Sequence, residues 1–282
     1  MQPYGAVLED ACVTACKQMR AEAHWDSSVA QQGFEELWKL NDGQDADYDC
    51  ASIGLHYALW YHLQRTHYMA RALTPILCEQ SKRLAIYDLG CGTGATAWAA
   101  AIAISALRKT SDSFPKVAIF GLDMSKHMLE AGDRLWSALI DRLPTDIDYN
   151  PLPGSWTQSE LEFGEFEYVL ISCSYLFNDS DLSDKNIGKS REQLLRICES
   201  THATNLLTVS SPRKARSIEE ISGFEVDDGY CPLDSIWTNR LSELSAERHD
   251  YLDEIGKRSP KKPAWSEQYD PIFGLYAMVL NT

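Results

Sequence analysis

The sequence predicts an α/β fold in which helices cover both faces of a mostly parallel β-sheet. After Arg83, short apolar runs alternate with helical segments, which is the pattern of repeated strand–helix units. One of these runs, residues 168–173, is apolar until its end, as expected of a strand that is buried on both faces. Before Arg83 no strand-like alternation occurs. We therefore predict two parts, an N-terminal helical cap at residues 1–80 and an α/β domain at residues 81–282.

The N-terminal part is predicted to be helical because its apolar residues recur at intervals of three or four positions. A first short helix around Phe34 and Leu37 should end near residues 41–43, where Asn, Asp and Gly follow one another. A longer helix is predicted from an apolar stripe further along the chain. That stripe consists of Leu55, Leu59, Leu63, Met69, Leu73, Ile76 and Leu77.

The remainder of the chain contains six apolar runs that predict strands. They are residues 84–89, 117–122, 147–152, 168–173, 206–209 and 275–280. Helices are predicted over residues 95–107 and 125–140, the second with Ser125 as its N-cap. Residues 190–193, Ser-Arg-Glu-Gln, form a capping-box pattern that predicts the start of a further helix.

Composition narrows the classes of function. The 282 residues carry a formal net charge of −15; such a surface repels phosphate backbones, so an extended nucleic-acid interface is not expected. None of the eight cysteines forms a CxxC pair, which predicts no zinc site and reduced, mostly buried thiols. The N-terminus lacks the apolar core of a signal peptide, and no apolar run reaches the roughly 18 residues of a membrane span. We expect a cytoplasmic protein with no membrane contact and no bound metal.

The most informative segment is residues 88–94, Asp-Leu-Gly-Cys-Gly-Thr-Gly, which links an apolar strand to an Ala-rich helix. Glycine is expected there because a Cβ atom would obstruct both a tight turn and the approach of a ligand to the backbone. The N-terminus of the following helix offers unpaired N–H groups and the positive end of its dipole. The spacing of Gly90, Gly92 and Ala95 also fits a dinucleotide-binding turn, so a nicotinamide-dependent oxidoreductase is one interpretation. A carboxylate at Asp88 would repel a pyrophosphate and can instead anchor a cationic ligand, which favours a different cofactor.

Residues 88–94 resemble motif I of the class I S-adenosylmethionine-dependent methyltransferases, and the resemblance covers roughly residues 84–210. It implies a Rossmann-like, seven-stranded methyltransferase sheet with an N-terminal helical extension, and S-adenosyl-L-methionine as cofactor. An acid at the end of the next strand is the second signal of this family, and Asp123 matches it. The resemblance implies that Asp123 accepts hydrogen bonds from both ribose hydroxyls. The implied cofactor-binding residues are Asp88, Gly90, Cys91, Gly92, Thr93, Gly94, Asp123, Met124, Ser155, Trp156 and Cys173.

The resemblance also assigns the adenine and methyl-transfer positions. Where the family often has a Gly-Asp pair near the adenine, this chain has Gly154-Ser155-Trp156, so we expect Ser155 at the adenine edge and Trp156 on its face. The fourth predicted strand leads into Tyr175, at the position that faces the transferred methyl group. Tyr175 is the catalytic candidate, either as a wall of the pocket or with its hydroxyl orienting a nucleophile. The Asn/Asp-Pro-Pro-aromatic tetrad of enzymes that methylate bases or glutamine is missing, which argues against adenine-N6, cytosine-N4 and glutamine as targets.

The acceptor is predicted to be a small molecule enclosed under the N-terminal helices. Tyr57, Tyr61 and Tyr68, with Arg65 among them, lie on or beside the apolar stripe and are the candidate substrate contacts. Packing of the helix against the core is the alternative explanation for most of this aromatic cluster. The histidines at positions 62 and 67 are candidate bases.

Two other functions stay open from the sequence. Ribosomal or other RNA is the alternative acceptor, read through the basic residues of 213–216 and 257–262. Residues 229–233 and 171–176 resemble segments of the Rsm22-like ribosome-associated methyltransferases, although the cysteine cluster of that family is missing. The altered adenine signal and the missing tetrad also fit a non-catalytic binding partner with a methyltransferase-like fold. The oligomeric state is not predicted.

Overall fold

A computed structural model of the protein describes residues 4–23, 27–42, 44–80, 83–109, 115–143, 145–156, 166–176, 186–203 and 205–210, and the backbone of residues 272–277. The basic runs within residues 213–216 and 257–262, and the Rsm22-like segment at residues 229–233, lie outside the described residues. A search of the described part of the chain for a membrane-spanning helix finds none.

One mixed sheet forms the centre of the molecule. Its strands are β1 Leu84–Leu89, β2 Val117–Asp123, β3 Asp148–Pro153, β4 Tyr168–Ser174, β5 Asn205–Ser210 and β6 Ile272–Ala277. The strand order is β3-β2-β1-β4-β5-β6, with β1 to β5 parallel and β6 antiparallel to β5. The predicted α/β fold with a mostly parallel sheet is therefore confirmed. The sheet has six strands within the described residues, and the seventh strand implied by the family resemblance stays a prediction.

The last strand lies earlier in the chain than the sequence predicted. It begins at Ile272 rather than at residue 275. Its register places Ile272 opposite Ser210 and Ala277 opposite Asn205, so its six residues match the full length of β5. Hydrogen bonding to β5 sets the bounds of this strand, whereas the prediction used the apolar run alone.

Helices precede the sheet and cover it. They are α1 Tyr4–Ala23, α2 Ser27–Trp38, a 3₁₀ turn Lys39–Asp42, α3 Ile53–Tyr57, a π-helical turn Ala58–His62, α4 Leu63–Glu79, α5 Ala95–Leu107, α6 Lys126–Ile140 and α7 Ile187–Ser200. The segments α3, the π-helical turn and α4 follow one another without a break. Every member of the predicted apolar stripe from Leu55 to Leu77 is buried, which confirms the face of this long helix that packs inward.

The predicted N-cap of α6 is confirmed, and the predicted start of α7 is wrong. The Ser125 hydroxyl accepts a hydrogen bond from the Met128 backbone N–H at 3.2 Å. By contrast α7 begins at Ile187, and the Ser190 N–H donates to the Asn186 carbonyl at 2.9 Å. The helix thus begins three residues before the capping-box pattern, and Ser190 lies within its first turn. The Ser190 side chain is buried.

The two faces of the sheet carry separate hydrophobic clusters. Leu84 and Ile86 of β1 belong to the first cluster together with residues of α1 to α6. Ala85, Tyr87 and Leu89 belong to the second cluster, together with residues of α7. This alternation follows from the two-residue period of a strand. The Ala-rich α5 is buried along nearly its whole length because it lies between the sheet and α4.

Close contact between α3 and α6 joins the N-terminal helices to the α/β part. A Cβ atom built on Gly54 of α3 would lie 2.8 Å from the Ala131 Cβ of α6 and would also collide with the His127 carbonyl oxygen. The two backbones approach so closely because Gly54 has no side chain.

We expect Gly54→Ala to lower the free energy of unfolding by about 1–3 kcal/mol, because the added methyl group overpacks the α3–α6 contact. The matched control is Gly188→Ala in α7, where a Cβ has no neighbour within 4 Å. The control should leave stability unchanged or raise it by up to about 1 kcal/mol through helix propensity. Urea denaturation followed by circular dichroism measures both variants. Equal stability of the two would contradict the close approach of α3 and α6.

Candidate functional site

The candidate site is the glycine turn between β1 and α5, at the carboxyl edge of the parallel strands. Gly90, Gly92 and Gly94 have φ angles of 67°, 53° and 77°, which lie in the left-handed region that residues with a Cβ rarely adopt. A Cβ on Gly94 would lie 2.7 Å from the Tyr149 hydroxyl, and one on Gly90 would lie 2.8 Å from Leu176 Cδ1. Backbone conformation therefore favours glycine at all three positions, and close packing adds a second reason at Gly90 and Gly94.

Asp123, at the end of β2, holds this turn in place. One oxygen of its carboxylate accepts a hydrogen bond from the Gly92 N–H and the other accepts one from the Ser125 N–H, each at 2.8 Å. Burial raises its pKa, and the two N–H donors oppose that rise. Each oxygen keeps a lone pair, so the carboxylate can still accept from two ligand hydroxyls. The neighbouring Met124 is 73% exposed, the most exposed of the large hydrophobic residues in the described part of the chain.

Asp88, the last but one residue of β1, is buried next to the turn. Burial raises its pKa to about 7, and the hydroxyls of Thr96 and Ser172 oppose the rise. The two hydroxyls lie close enough to act on the carboxyl but form no well-directed hydrogen bond with it, so that Oδ1 of Asp88 and both hydroxyl oxygens have no partner of good geometry within the described residues. An orphaned carboxylate oxygen in a desolvated place is stabilised by any donor or cation that reaches it. This feature fits a ligand with a positively charged or N–H-donating group.

Cys91 and Thr93 turn their side chains away from the surface of the turn. The Cys91 N–H donates to the Leu122 carbonyl at 2.9 Å, and its Sγ would lie 2.9 Å from a Cβ on Gly121. Thr93 is 1% exposed, and its hydroxyl is 2.9 Å from Nδ1 of His62. Any contact that these two residues make with a cofactor would therefore come from the backbone, and their cofactor role stays a prediction.

The residues predicted near the adenine and the methyl group lie in different surroundings. Ser155 is half-buried just after β3, next to Gly154, whose N–H donates to the Asp123 carbonyl at 2.9 Å. Trp156 and Cys173 are buried in the second hydrophobic cluster, at 6% and 1% exposure. An indole packed into that core has little face to offer, so Ser155 is the better placed of the two adenine candidates. Both assignments stay predictions.

Tyrosines from two parts of the chain meet at the end of β4. Tyr175 has a φ of 59°, and its N–H donates to the Val209 carbonyl at 2.7 Å. The Arg65 guanidinium carbon lies 3.0 Å from the centre of the Tyr175 ring and 5.5 Å from that of Tyr61. The Tyr57 and Tyr61 rings are 5.5 Å apart. The structure thus brings Tyr175 together with Tyr57 and Tyr61, and Tyr68 is also near enough to act on Tyr175 electrostatically.

The third substrate candidate, Tyr68, accepts a 3.4 Å hydrogen bond from the Gln64 amide. Burial raises the pKa of Tyr175, and it raises the pKa of Tyr61 to about 12. Both phenols therefore stay protonated at neutral pH, where they can donate or accept a hydrogen bond but are poor general bases.

His62 has a structural role that the sequence did not reveal. It is the last residue of the π-helical turn, it bonds Thr93, and its ring packs edge-on against Trp98 at 4.5 Å. Burial lowers its pKa to about 3, so it is neutral at physiological pH and a weak base. No local sequence signal connects position 62 with position 93, although π-helical turns often occur at functional sites.

We expect His62 to make the protein sensitive to acid. Because folding lowers its pKa from 6.5 to about 3, its contribution to stability is complete above pH 6.5 and is lost progressively as the pH falls towards 3. At pH 5 this loss is about 2 kcal/mol. His56, whose pKa burial lowers to about 4, should add a loss of the same sign.

The measurement is the free energy of unfolding at pH 7 and pH 5 for three proteins. Between these pH values, His62→Gln should lose about 2 kcal/mol less stability than the wild type. The control His127→Gln, at a half-buried histidine on α6 beside Glu130, should follow the wild type. If all three lost stability in parallel, His62 would not be a buried neutral histidine.

Comparison with known proteins gives matches among solved structures. No protein-family model matches the chain, and no curated protein matches it. The chain is similar to an S-adenosylmethionine-dependent methyltransferase from Clostridium acetobutylicum, at 12% identity over 63% of this chain and 60% of that one, with a TM-score of 0.35. It is similar to the methyltransferase domain of bacterial CtHen1-CN, at 18% identity over 77% of this chain and 100% of that one, with a TM-score of 0.38.

A third similar structure is the plantazolicin methyltransferase BpumL in complex with SAH, at 14% identity over 84% of this chain and 75% of that one, with a TM-score of 0.32. The chain spans 60% of the length of the Clostridium protein.

Proposed function

We propose that this protein is an S-adenosylmethionine-dependent methyltransferase that acts on a small molecule. The observation that carries the proposal is the pair of carboxylates at the glycine turn. Asp123 lies beside the turn with acceptor capacity to spare, and Asp88 is buried next to it with an oxygen that has no hydrogen-bond partner among the described residues. Two acceptors of this kind suit a ligand that has ribose hydroxyls and an ammonium group.

Asp88 supports this cofactor over a nicotinamide dinucleotide. Asp123 does not discriminate, because dinucleotide-binding enzymes also place an acid at the ribose. A pyrophosphate at the turn would raise the pKa of Asp88 further, because its negative charge disfavours the carboxylate that burial already disfavours. A cationic group would have the opposite effect, since it would lower the pKa of Asp88 and stabilise the carboxylate.

The residues present fit a reaction that needs positioning more than acid–base catalysis. When bound, S-adenosylmethionine supplies an electrophilic methyl group. The task left to the chain is to hold the acceptor atom in line with that group, at about 3 Å. Tyr175 and Tyr61 stay protonated, so they can orient an acceptor but do not remove a proton from it at neutral pH, and the buried, neutral His62 is not available as a base.

The arrangement of the aromatic cluster favours a small acceptor over RNA. Tyr57, Tyr61 and Arg65 come from the N-terminal helices and close over Tyr175 at the end of β4. A methyl-transfer position that is covered by aromatic side chains in this way suits a compact molecule better than a polynucleotide. The net charge of −15 also opposes binding to a phosphate backbone.

Calorimetric titration with S-adenosylhomocysteine, NAD and NADP tests the cofactor assignment. We expect micromolar binding of S-adenosylhomocysteine and no measurable binding of either dinucleotide, because of the buried carboxyl of Asp88. Preference for a dinucleotide would support an oxidoreductase instead. If none of the three ligands bound, the protein would be better described as a non-catalytic scaffold with a methyltransferase-like fold.

Asp123→Asn tests the proposed ribose contact. The amide cannot accept at both former oxygen positions, so S-adenosylhomocysteine should bind more weakly by about 1–3 kcal/mol. The control is Asp133→Asn, an exposed aspartate on α6, which should bind like the wild type. Thermal melting of both variants checks that the turn still folds, because Asp123 also accepts from Gly92 and Ser125. Unchanged affinity in a folded Asp123→Asn variant would remove the ribose assignment.

A further inference from the structure

Arg65 lies inside the aromatic cluster at the acceptor side of the candidate site. It belongs to the first turn of α4, and its guanidinium covers the face of the Tyr175 ring, with Tyr61 next to it at 5.5 Å. The Tyr57 ring contacts Tyr61 and completes the cluster. The positively charged guanidinium of Arg65 therefore lies where the proposed function places the methyl acceptor.

The charge of Arg65 has no counter-ion within the described residues. The groups of the described chain that act on it electrostatically include the tyrosines at positions 48, 57, 61 and 175, and Arg65 also makes a side-chain hydrogen bond with Tyr57. Its Nε is buried and has no hydrogen-bond partner in the described part of the chain. This is unusual in a chain with 41 acidic and 26 basic residues. Arg65 is half-buried, and a charge that is partly withdrawn from water is costly unless it is paired, so an anionic partner would stabilise it.

The stacked position of Arg65 leaves Nε and the donors that do not bond Tyr57 for such a partner. At 3.0 Å from the ring centre, the guanidinium must lie face to face with Tyr175. Its N–H donors point along the guanidinium plane, away from the ring, and form a fork that matches a carboxylate in bidentate geometry. The aromatic faces around it exclude water and strengthen such a pair.

We propose that Arg65 binds a carboxylate group of the methyl acceptor. The inference rests on the proposed methyltransferase function and specifies its substrate class as small organic acids. The carboxylate acts as the anchor rather than the methylated group, because bidentate bonding to Arg65 uses the oxygen lone pairs that an attack on the methyl group would need. A second nucleophilic atom of the same molecule then faces the cofactor.

The test is NMR of protein labelled with ¹⁵N-arginine and saturated with S-adenosylhomocysteine, with the Arg65 Nε–H signal assigned as the one lost in Arg65→Lys. Benzoate and benzamide are the probes, because they share a shape and differ in charge. Benzoate should shift the Arg65 signal saturably, and benzamide should not. The absence of a shift with benzoate, or an equal shift with benzamide, would overturn the proposal. A stronger, saturable shift with phenyl phosphate would overturn the carboxylate assignment in favour of a phosphorylated acceptor.

Calorimetry on three proteins separates this inference from the cofactor assignment. Arg65→Lys should weaken benzoate binding at least tenfold, because the bidentate fork is lost, while its affinity for S-adenosylhomocysteine should stay within twofold of the wild type. The control Arg134→Lys, at an exposed arginine that pairs with Glu22, should match the wild type for both ligands. Equal benzoate affinity in all three proteins would overturn the role of Arg65. Loss of S-adenosylhomocysteine binding in the wild type, with benzoate still bound, would count against the methyltransferase function and leave the carboxylate site in place.

Discussion

The two hydrogen bonds that the Asp123 carboxylate accepts connect the parts on which the candidate site depends. One comes from Gly92 in the glycine turn, and the other from Ser125 at the start of α6. The Ser125 hydroxyl in turn donates to the Tyr48 carbonyl, in the segment before α3, at 2.6 Å. A single charged side chain at the end of β2 therefore fixes the turn, a helix start and the N-terminal segment relative to one another. Charge-assisted bonds of this kind are short and strong, which suits a site that must keep its shape before a ligand arrives.

The N-terminal helices are part of the site rather than a separate lid. They share the first hydrophobic cluster with the sheet, and Gly54 brings α3 into backbone contact with α6. At the turn itself, His62 bonds Thr93 from the π-helical segment. The extra residue of a π-helical turn rotates the following helix. Stability of the N-terminal part and geometry of the glycine turn are therefore coupled, because the same side chains serve both.

Buried charge organises the chemistry of the site. Within the part of the chain that the structure describes, Asp88 has an oxygen without a hydrogen-bond partner and a pKa raised to about 7, and Arg65 lies among tyrosines without a counter-ion. Asp88 is buried and Arg65 is half-buried, and a ligand group of opposite charge would stabilise either of them. An amino acid-like cofactor at the first and an acid at the second would satisfy them together. Around these charges Tyr175 and Tyr61 keep their protons, so the two phenols can orient a ligand but do not ionise.

The sequence by itself determined the features that depend on local physics. Glycines at 90, 92 and 94 were recognisable because only glycine adopts left-handed turns easily, and the Ser125 cap because a hydroxyl at that position bonds its own helix. The alternation of apolar runs with helical segments predicted the sheet, because the period of apolar residues reflects the local backbone conformation. The start of α7, the bounds of β6, the burial of Trp156 and the bond between His62 and Thr93 were decided only by tertiary structure. In each of these cases the partner is distant in the chain or the backbone geometry depends on packing. A local pattern states which residues prefer a conformation or a face, but not which distant group that face will meet.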